Sequence, residues 1–179
     1  MKMKNEKTEV AVSVLLPFQN LDNYFWASLQ SILDQSQINF EVLLLDNGSE
    51  KKNNSRLSVD PRIRLVDCKE KRTLSSVLNA GLSIAKGTFI ARMDADDLAD
   101  PRRLELQVDF LQQNPEIGLL GTFVEKIDSN GRVLQLMNQP VEHDDIVIRL
   151  GNNNPFFHST IIMRRDVIQK YSLGYKPWM

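Results

Sequence analysis

Two stretches of the chain, Val10–Leu16 and Phe40–Leu45, are apolar at almost every position and rich in β-branched residues and leucine. A strand with one face in water alternates apolar and polar residues. An unbroken apolar run is instead a strand covered on both faces, as in parallel sheets between helices. Pro17 stops the first run, and the turn-forming Asp46-Asn47-Gly48-Ser49 stops the second. Between them Phe25, Leu29, Ile32 and Leu33 recur at helical spacing behind Asp22 as N-cap. Arg62–Val66 reads as a short third strand. Thr73 caps a helix bearing Leu74, Val77, Leu78, Leu82 and Ala85, closed by Gly87, and Thr88–Met93 is a fourth strand. Asp100-Pro101 opens a helix as N-cap and N1, with Leu104, Val108 and Leu111 as its stripe. Ile117–Val124 and Arg132–Met137 read as strands around Asp128-Ser129-Asn130-Gly131, Asp144–Leu150 as a helix, and Ser159–Met163 as a further strand. The alternation predicts an α/β domain with a mostly parallel central sheet flanked by helices.

At 179 residues the chain suits one domain, expected over residues 10–179, behind a disordered tail at residues 1–9. In that tail Lys2, Lys4 and Lys7 are offset by Glu6 and Glu9; weak attraction to a membrane surface is the alternative to a frayed end. A net charge of −1 gives no support for nucleic acid as a partner. The single cysteine, Cys68, rules out an intrachain disulfide, fits a reducing compartment and lacks a nearby histidine to activate it. No apolar run has the length of a membrane span, and the first eight residues do not resemble a secretory signal. The expectation is a cytoplasmic protein.

In parallel α/β sheets, ligands gather beyond the carboxyl ends of the strands. Three such ends carry polar chemistry here and should converge on one rim: Pro17-Phe18-Gln19-Asn20, Asp46-Asn47-Gly48-Ser49 and Asp94-Ala95-Asp96-Asp97. Unpaired carboxylates at a buried strand end are costly and normally meet a cation. Mg²⁺ or Mn²⁺ commonly bridges one or two carboxylates to substrate phosphates. On an extended chain Asp94 and Asp96 point to one side and Asp97 to the other. Taken alone, the motif reads first as a solvated acidic turn; the neighbouring strand ends shift the balance toward a cation. No Gly-x-Gly-x-x-Gly follows a strand and no Gly-x-x-x-x-Gly-Lys loop occurs, so dinucleotide and P-loop readings fail.

The order and spacing of these segments resemble the family 2 glycosyltransferases, inverting sugar-transfer enzymes of the GT-A fold. Val12–Asn20 is similar to their opening strand and Pro-aromatic-x-Asn turn; Asp46-Asn47-Gly48-Ser49 is similar to their Asp-Asp-Gly-Ser motif, with Asn in the second acidic place. Leu78–Leu82 with Ala85-Lys86-Gly87 matches the helix before the acidic strand, Asp94-Ala95-Asp96 the Asp-x-Asp, and Asn154–Thr160 the acceptor-side segment. The resemblance implies a nucleoside diphosphate-sugar donor, usually uridine-linked, lying across the strand ends. Pro17, Phe18 and Asp46 would hold the base, and Asp94 would meet the ribose or reach the metal through water. Asp96 would bind Mg²⁺ or Mn²⁺ on the diphosphate. Arg72 would face the diphosphate or base, or simply be a solvated helix-start arginine. The alternative for Asp46, capping its own turn with Ser49, ranks behind donor contact once the whole set of segments is taken together. His158 would meet the acceptor or diphosphate, or hydrogen-bond a loop carbonyl; His143 reads as an exposed helix-start residue.

The family's general base is a carboxylate in a Glu-Asp-type motif downstream of a Gly-Tyr element. Here Leu173-Gly174-Tyr175 is followed by Lys176-Pro177-Trp178-Met179, with nothing that matches the base motif. The chain is therefore expected to be a donor-binding module incomplete at its carboxyl end, or a binding protein that needs no base; Asp97 and Glu125 lack support as substitutes. Two readings follow. One is a transferase, or its donor-binding part, acting on a glycan or lipid-linked acceptor in bacterial surface polysaccharide synthesis, with peripheral membrane association and self-association through an exposed edge as further expectations. The other is a catalytically silent nucleotide-sugar-binding module or partner subunit. A nucleotidyltransferase would need a Gly-rich loop after the first strand and ranks last.

Overall fold

A computed structural model describes residues 10–36, 38–49, 57, 59–71 and 73–176. The expected tail at residues 1–9 and Arg72 lie outside the described residues. The strands are Val12–Phe18 (β1), Phe40–Asp46 (β2), Ile63–Asp67 (β3), Phe89–Arg92 (β4), Leu119–Leu120 (β5), Val124–Ile127 (β6), Val133–Met137 (β7) and Ile162–Arg164 (β8). The helices are Asn23–Leu33 (α1), Leu74–Ile84 (α2), Arg103–Gln113 (α3), His143–Leu150 (α4) and Arg165–Lys170 (α5). The main sheet has the order β3-β2-β1-β4-β8-β5, and β6 and β7 form a separate hairpin. β1 to β4 are mutually parallel, while β8 runs antiparallel to both β4 and β5.

The unbroken apolar runs are explained by a core on each face. Val12, Val14 and Leu16 of β1 pack with Phe25, Leu29 and Ile32 of α1 and with Leu104, Val108 and Leu111 of α3. Leu15, Leu43, Leu45 and Ile90 point the other way, against Val77 and Leu78 of α2. Each fully buried leucine or valine contributes roughly 1.5–3 kcal/mol. Leu74, expected in the α2 stripe, is 45% exposed because it lies in the first turn, at the rim of the sheet.

At the amino end of the sheet, buried Ser13 donates from Oγ to Glu41 Oε1 at 2.7 Å and accepts from the amide of Gly87 at 2.8 Å. Glu41 also accepts from Arg64 Nη1 at 2.7 Å and from the Lys86 amide at 2.8 Å. Burial raises the Glu41 pKa, but the hydrogen bonds from Arg64, Ser13 and Lys86 outweigh it and leave the carboxyl below its ordinary value. A side chain at Gly87 would meet the Ser13 nitrogen at 2.4 Å, so the α2–β4 connection passes here only as glycine.

Several expected boundaries are corrected. β1 runs two residues beyond the expected stop, through Pro17 to Phe18. The Leu15 carbonyl accepts from the Met93 amide on the β4 side, and the Phe18 carbonyl from the Asn47 amide on the β2 side. Backbone groups alternate along a strand, so the absent N–H of Pro17 falls on the β4 side, past the last β1–β4 pair at Leu15 and Arg92. Asp100 begins a turn and is not the N-cap: its Oδ1 accepts from the Arg102 amide and the helix starts at Arg103. The strand expected over Ile117–Val124 is only Leu119–Leu120, because the Thr122 amide donates to Thr160 Oγ1 at 3.1 Å rather than to a strand. His158–Thr160 forms a 3-10 turn, delaying β8 to Ile162.

Candidate functional site

β1 and β4 diverge at the point where the strand order reverses, the place such sheets use for ligands. A groove of about 560 Å³ opens there, walled by Pro17, Phe18, Gln19 and Asn20 from the end of β1 and by Asp94, Ala95 and Asp96 from the end of β4. Asn47, beyond β2, and Leu74, opening α2, complete it along with Asp22, Tyr24 and Phe25 of the α1 start. The positive end of the α1 dipole therefore faces the groove. Asp22 Oδ1 accepts from the Phe25 amide at 3.0 Å, as its N-cap role requires. Pro17 and Phe18 are the last residues of the strand, not a turn. The Phe18 ring is 3% exposed and lies 4.8 Å from the Phe25 ring, so it forms the groove floor.

A polar stripe, Ser28 and Ser31 of α1 with Gln35 just beyond its carboxyl end, holds the acidic turn in place. Ser28 Oγ donates to the Asp94 carbonyl at 2.8 Å, Ser31 Oγ accepts from the Ala99 amide at 3.0 Å, and Gln35 Nε2 donates to the Asp100 carbonyl at 2.6 Å. From α3, buried Arg103 donates to the Arg92 carbonyl at 2.9 Å and to Gln107 Oε1 at 3.1 Å. Burial lowers the Arg103 pKa to about 10.

The chain leaves the extended conformation after β4, and residues 95–96 form a turn closed by the Asp97 amide on the Asp94 carbonyl at 3.4 Å. Strand alternation therefore does not relate Asp94 to Asp96; both nevertheless line the groove. Asp94 Oδ1 pairs with Arg92 Nη2 at 2.6 Å. Burial raises the Asp94 pKa, Arg92 opposes it, and Asp97 and Asp96 add to the rise. Asp96 is exposed. Two hard oxygen donors suit Mg²⁺ or Mn²⁺, and no group of three or more His, Cys, Asp or Glu occurs among the described residues that could hold a metal. Such a pair fits an ion that takes its remaining ligands from water and a bound diphosphate.

Asp46 is 4% exposed and occupied by its own turn. Its Oδ1 accepts from the amides of Gly48 and Ser49 at 3.1 and 2.7 Å, and its Oδ2 from Ser49 Oγ at 2.9 Å. Gly48 takes φ +98°, which favours glycine. His158 does not line the groove. It borders an apolar cavity of about 190 Å³ with Phe156, Met163 and Tyr175, on the Arg92 side of the sheet. Burial lowers its pKa and the Arg92 charge lowers it further, both favouring the uncharged ring. His143 is exposed at the start of α4, as expected. Burial also raises the Cys68 pKa, which disfavours the thiolate.

Tyr24 and Arg92 were not singled out in the sequence, whereas Asn47 belongs to the Asp46-Asn47-Gly48-Ser49 end expected at the rim. Tyr24 sits 59% exposed on the groove because it opens the helix that follows β1. Asn47 lines the groove beside the buried Asp46. Arg92 is 3% exposed, and its signal was a lone charge within the apolar run Phe89–Met93.

The description "Glycosyl transferase family 2" matches residues 13–172. An uncharacterized glycosyltransferase of Haemophilus influenzae is 31% identical over 174 residues, covering 90% of this chain and 54% of its own length. The O-antigen biosynthesis glycosyltransferase WbnJ of Escherichia coli is 32% identical over 164 residues, covering 89% and 63%. S. aureus TarS 1-349, solved in complex with UDP-GlcNAc, superposes with a TM-score of 0.67 at 19% identity, over 92% of this chain and 48% of that one. The mannosyltransferase PcManGT from Pyrobaculum calidifontis, solved with GDP-Man and Mn2+, gives a TM-score of 0.67 at 19% identity, over 92% and 47%. These likenesses show the GT-A fold. The chain spans 54% and 63% of the length of the two curated relatives. Its sequence, over nearly all of the described residues, is that of a member of glycosyl transferase family 2.

Proposed function

We propose that this chain binds a nucleoside diphosphate-sugar, with uridine as the base, in the groove at the ends of β1 and β4, and that the protein transfers the sugar with inversion to a glycan or lipid-linked acceptor in surface polysaccharide synthesis. The observation that carries this reading is the shared groove: Asp94 and Asp96 line one wall and the Pro17–Asn20 segment the other, with Asn47 beside them. An acidic groove repels a diphosphate unless a cation intervenes, and PcManGT is crystallised with both GDP-Man and Mn2+. In this reading Asp96 ligates Mg²⁺ or Mn²⁺, and Asp94 meets the ribose or the metal's water. When bound there, such an ion would supply Lewis-acid stabilisation of a departing diphosphate, worth several kcal/mol. Pro17 and Phe18 form the floor beneath the base, and Asp46 shapes the wall through its turn. His158, outside the groove, faces the acceptor side.

A second reading, binding without transfer, is favoured by one observation. Among the described residues the carboxylates lining the groove are Asp22, Asp94 and Asp96; the first is a helix cap and the other two are assigned to donor and metal. Calorimetric titration with UDP and Mn²⁺ tests donor binding, and release of UDP from UDP-sugars with and without acceptor separates the two readings. Absence of UDP binding contradicts both.

A further inference from the structure

Arg92 has no part in the reading above, yet it is the charged group in contact with Asp94. Along β4 and just past it, Phe89, Ala91 and Met93 enter the core under α1 and α3, while Ile90 enters the core under α2. Arg92, the last residue of β4, falls on the α2 face by the same alternation, and its ion pair reaches Asp94 two residues on. The guanidinium is 3% exposed, and its Nη2 meets Asp94 Oδ1 at 2.6 Å. Among the described residues Nε and Nη1 have no hydrogen-bond partner, and neither does the buried hydroxyl of Tyr175. The segment carrying Tyr175 is fastened over this face by Asn79 of α2, which donates to the Tyr175 carbonyl and accepts from its amide, each at 2.9 Å.

A buried arginine with one carboxylate partner is a poor source of stability, because desolvation costs about as much as the pairing returns. An apolar residue like its neighbours Ile90 and Ala91 would pack there at less cost. What the pair does provide is direction. Arg92 holds Asp94 Oδ1 and Ser28 holds the Asp94 carbonyl, while Oδ2 makes no hydrogen bond or ion pair among the described residues. We propose that Arg92 is a positioning residue that clamps one oxygen of Asp94 so that the other is presented to the donor or its cation. This rests on the donor-binding reading. A lysine would not substitute, since an ammonium lacks the planar fork that fixes a carboxylate.

The test is a double-mutant cycle of Arg92→Gln and Asp94→Asn, with Arg92→Lys alongside, read by UDP–Mn²⁺ titration and by thermal melting. Arg92→Gln and Arg92→Lys are each expected to weaken UDP–Mn²⁺ binding by about 10- to 100-fold. The double variant should bind no more weakly than Asp94→Asn alone, since Arg92 acts through Asp94. Wild-type affinity in a folded Arg92→Gln or Arg92→Lys protein, or a double variant showing the product of the two losses, overturns the proposal. Should Arg92→Gln fail to fold, Arg92→Lys carries the binding arm. If the wild-type protein binds no UDP, the donor reading falls, while melting still decides the pair. Losses in melting temperature that add in the double variant reject the clamp, and a double variant melting no lower than the weaker single one supports it.

Discussion

The hydroxyl of Ser28, in the middle of α1, donates to the main-chain carbonyl of Asp94 at 2.8 Å. That bond ties the helix following β1 to the acidic turn following β4, across the mouth of the crevice where the two strands part. Ser28 is fully buried, so its removal leaves the Asp94 carbonyl without this donor in a place water does not easily reach. Ser28→Ala is expected to destabilise the fold by about 1–2 kcal/mol and to weaken UDP–Mn²⁺ binding at the same time. Urea unfolding and calorimetry on one preparation check both; a stability loss with unchanged affinity would show that the acidic turn keeps its shape without α1.

Acid should unfold the protein partly through Glu41, far from the groove. Its folded pKa lies below the ordinary value of 4.5, so its contribution is intact above about pH 4.5 and is lost as pH falls through the lowered value. Glu41→Gln is expected to cost about 2 kcal/mol at pH 7 and to flatten the decline in stability below pH 4.5. Urea midpoints measured at pH 7, 5 and 3.5 compare the two slopes; parallel slopes would remove Glu41 from the acid transition.

Gly87→Ala should be among the most damaging single-methyl additions in the chain. The new carbon would lie 2.4 Å from the Ser13 nitrogen and 2.6 Å from the Val12 carbonyl carbon, both backbone atoms of the central strand. Relief requires β1 or β4 to shift, at a cost of about 3 kcal/mol or more. A melting temperature within a degree or two of wild type would contradict the close approach.

Asp46 and Ser49 separate a turn-shaping role from a ligand-reading one. Ser49→Ala removes one of the three hydrogen bonds to the carboxylate and should lower stability by about 1 kcal/mol with little change in UDP affinity. Asp46→Ala removes all three and should lower both. Equal loss of UDP affinity in the two variants would mean that the hydroxyl of Ser49, and not the carboxylate, carries the effect.

Much of this architecture was legible in the sequence because two-sided burial leaves so plain a mark. The apolar runs at β1 and β2, the Asp22 and Thr73 caps, and the Leu104, Val108 and Leu111 stripe all sit as their spacing predicts. Pro17 misled because a proline ends a strand only where its nitrogen faces a neighbour, and at this position the neighbouring strand has already left. Ile117–Val124 carries strand-forming residues, but β5 pairs through only Leu119 and Leu120 and Thr160 takes the Thr122 amide. Side-chain competition of that kind is invisible in a linear pattern.

The site was legible as a set of strand ends and opaque in its contacts. Asp94 and Asp96 meet Pro17 and Phe18 on one groove because parallel strands deliver their carboxyl ends to one rim. Alternation, the reason given for Asp94 and Asp96 acting together, does not operate in a turn. His158 falls on a different cavity because the 3-10 turn at His158–Thr160 carries it to the Arg92 side. Arg92 itself had a readable signal: a lone charge in an apolar strand needs a counter-charge, and the residue two positions on is an aspartate.

The central claim is that the acidic turn after β4 holds a cation for a nucleotide donor, and calorimetric titration of this chain with UDP, with and without Mn²⁺, beside Asp96→Ala, tests it most directly. Asp96 is exposed and makes no ion pair among the described residues, so the variant should melt like the wild type. Binding that requires both Mn²⁺ and Asp96 is the predicted result. UDP binding of equal strength in Asp96→Ala, or binding indifferent to Mn²⁺, would contradict the metal assignment and leave the cluster a solvated turn.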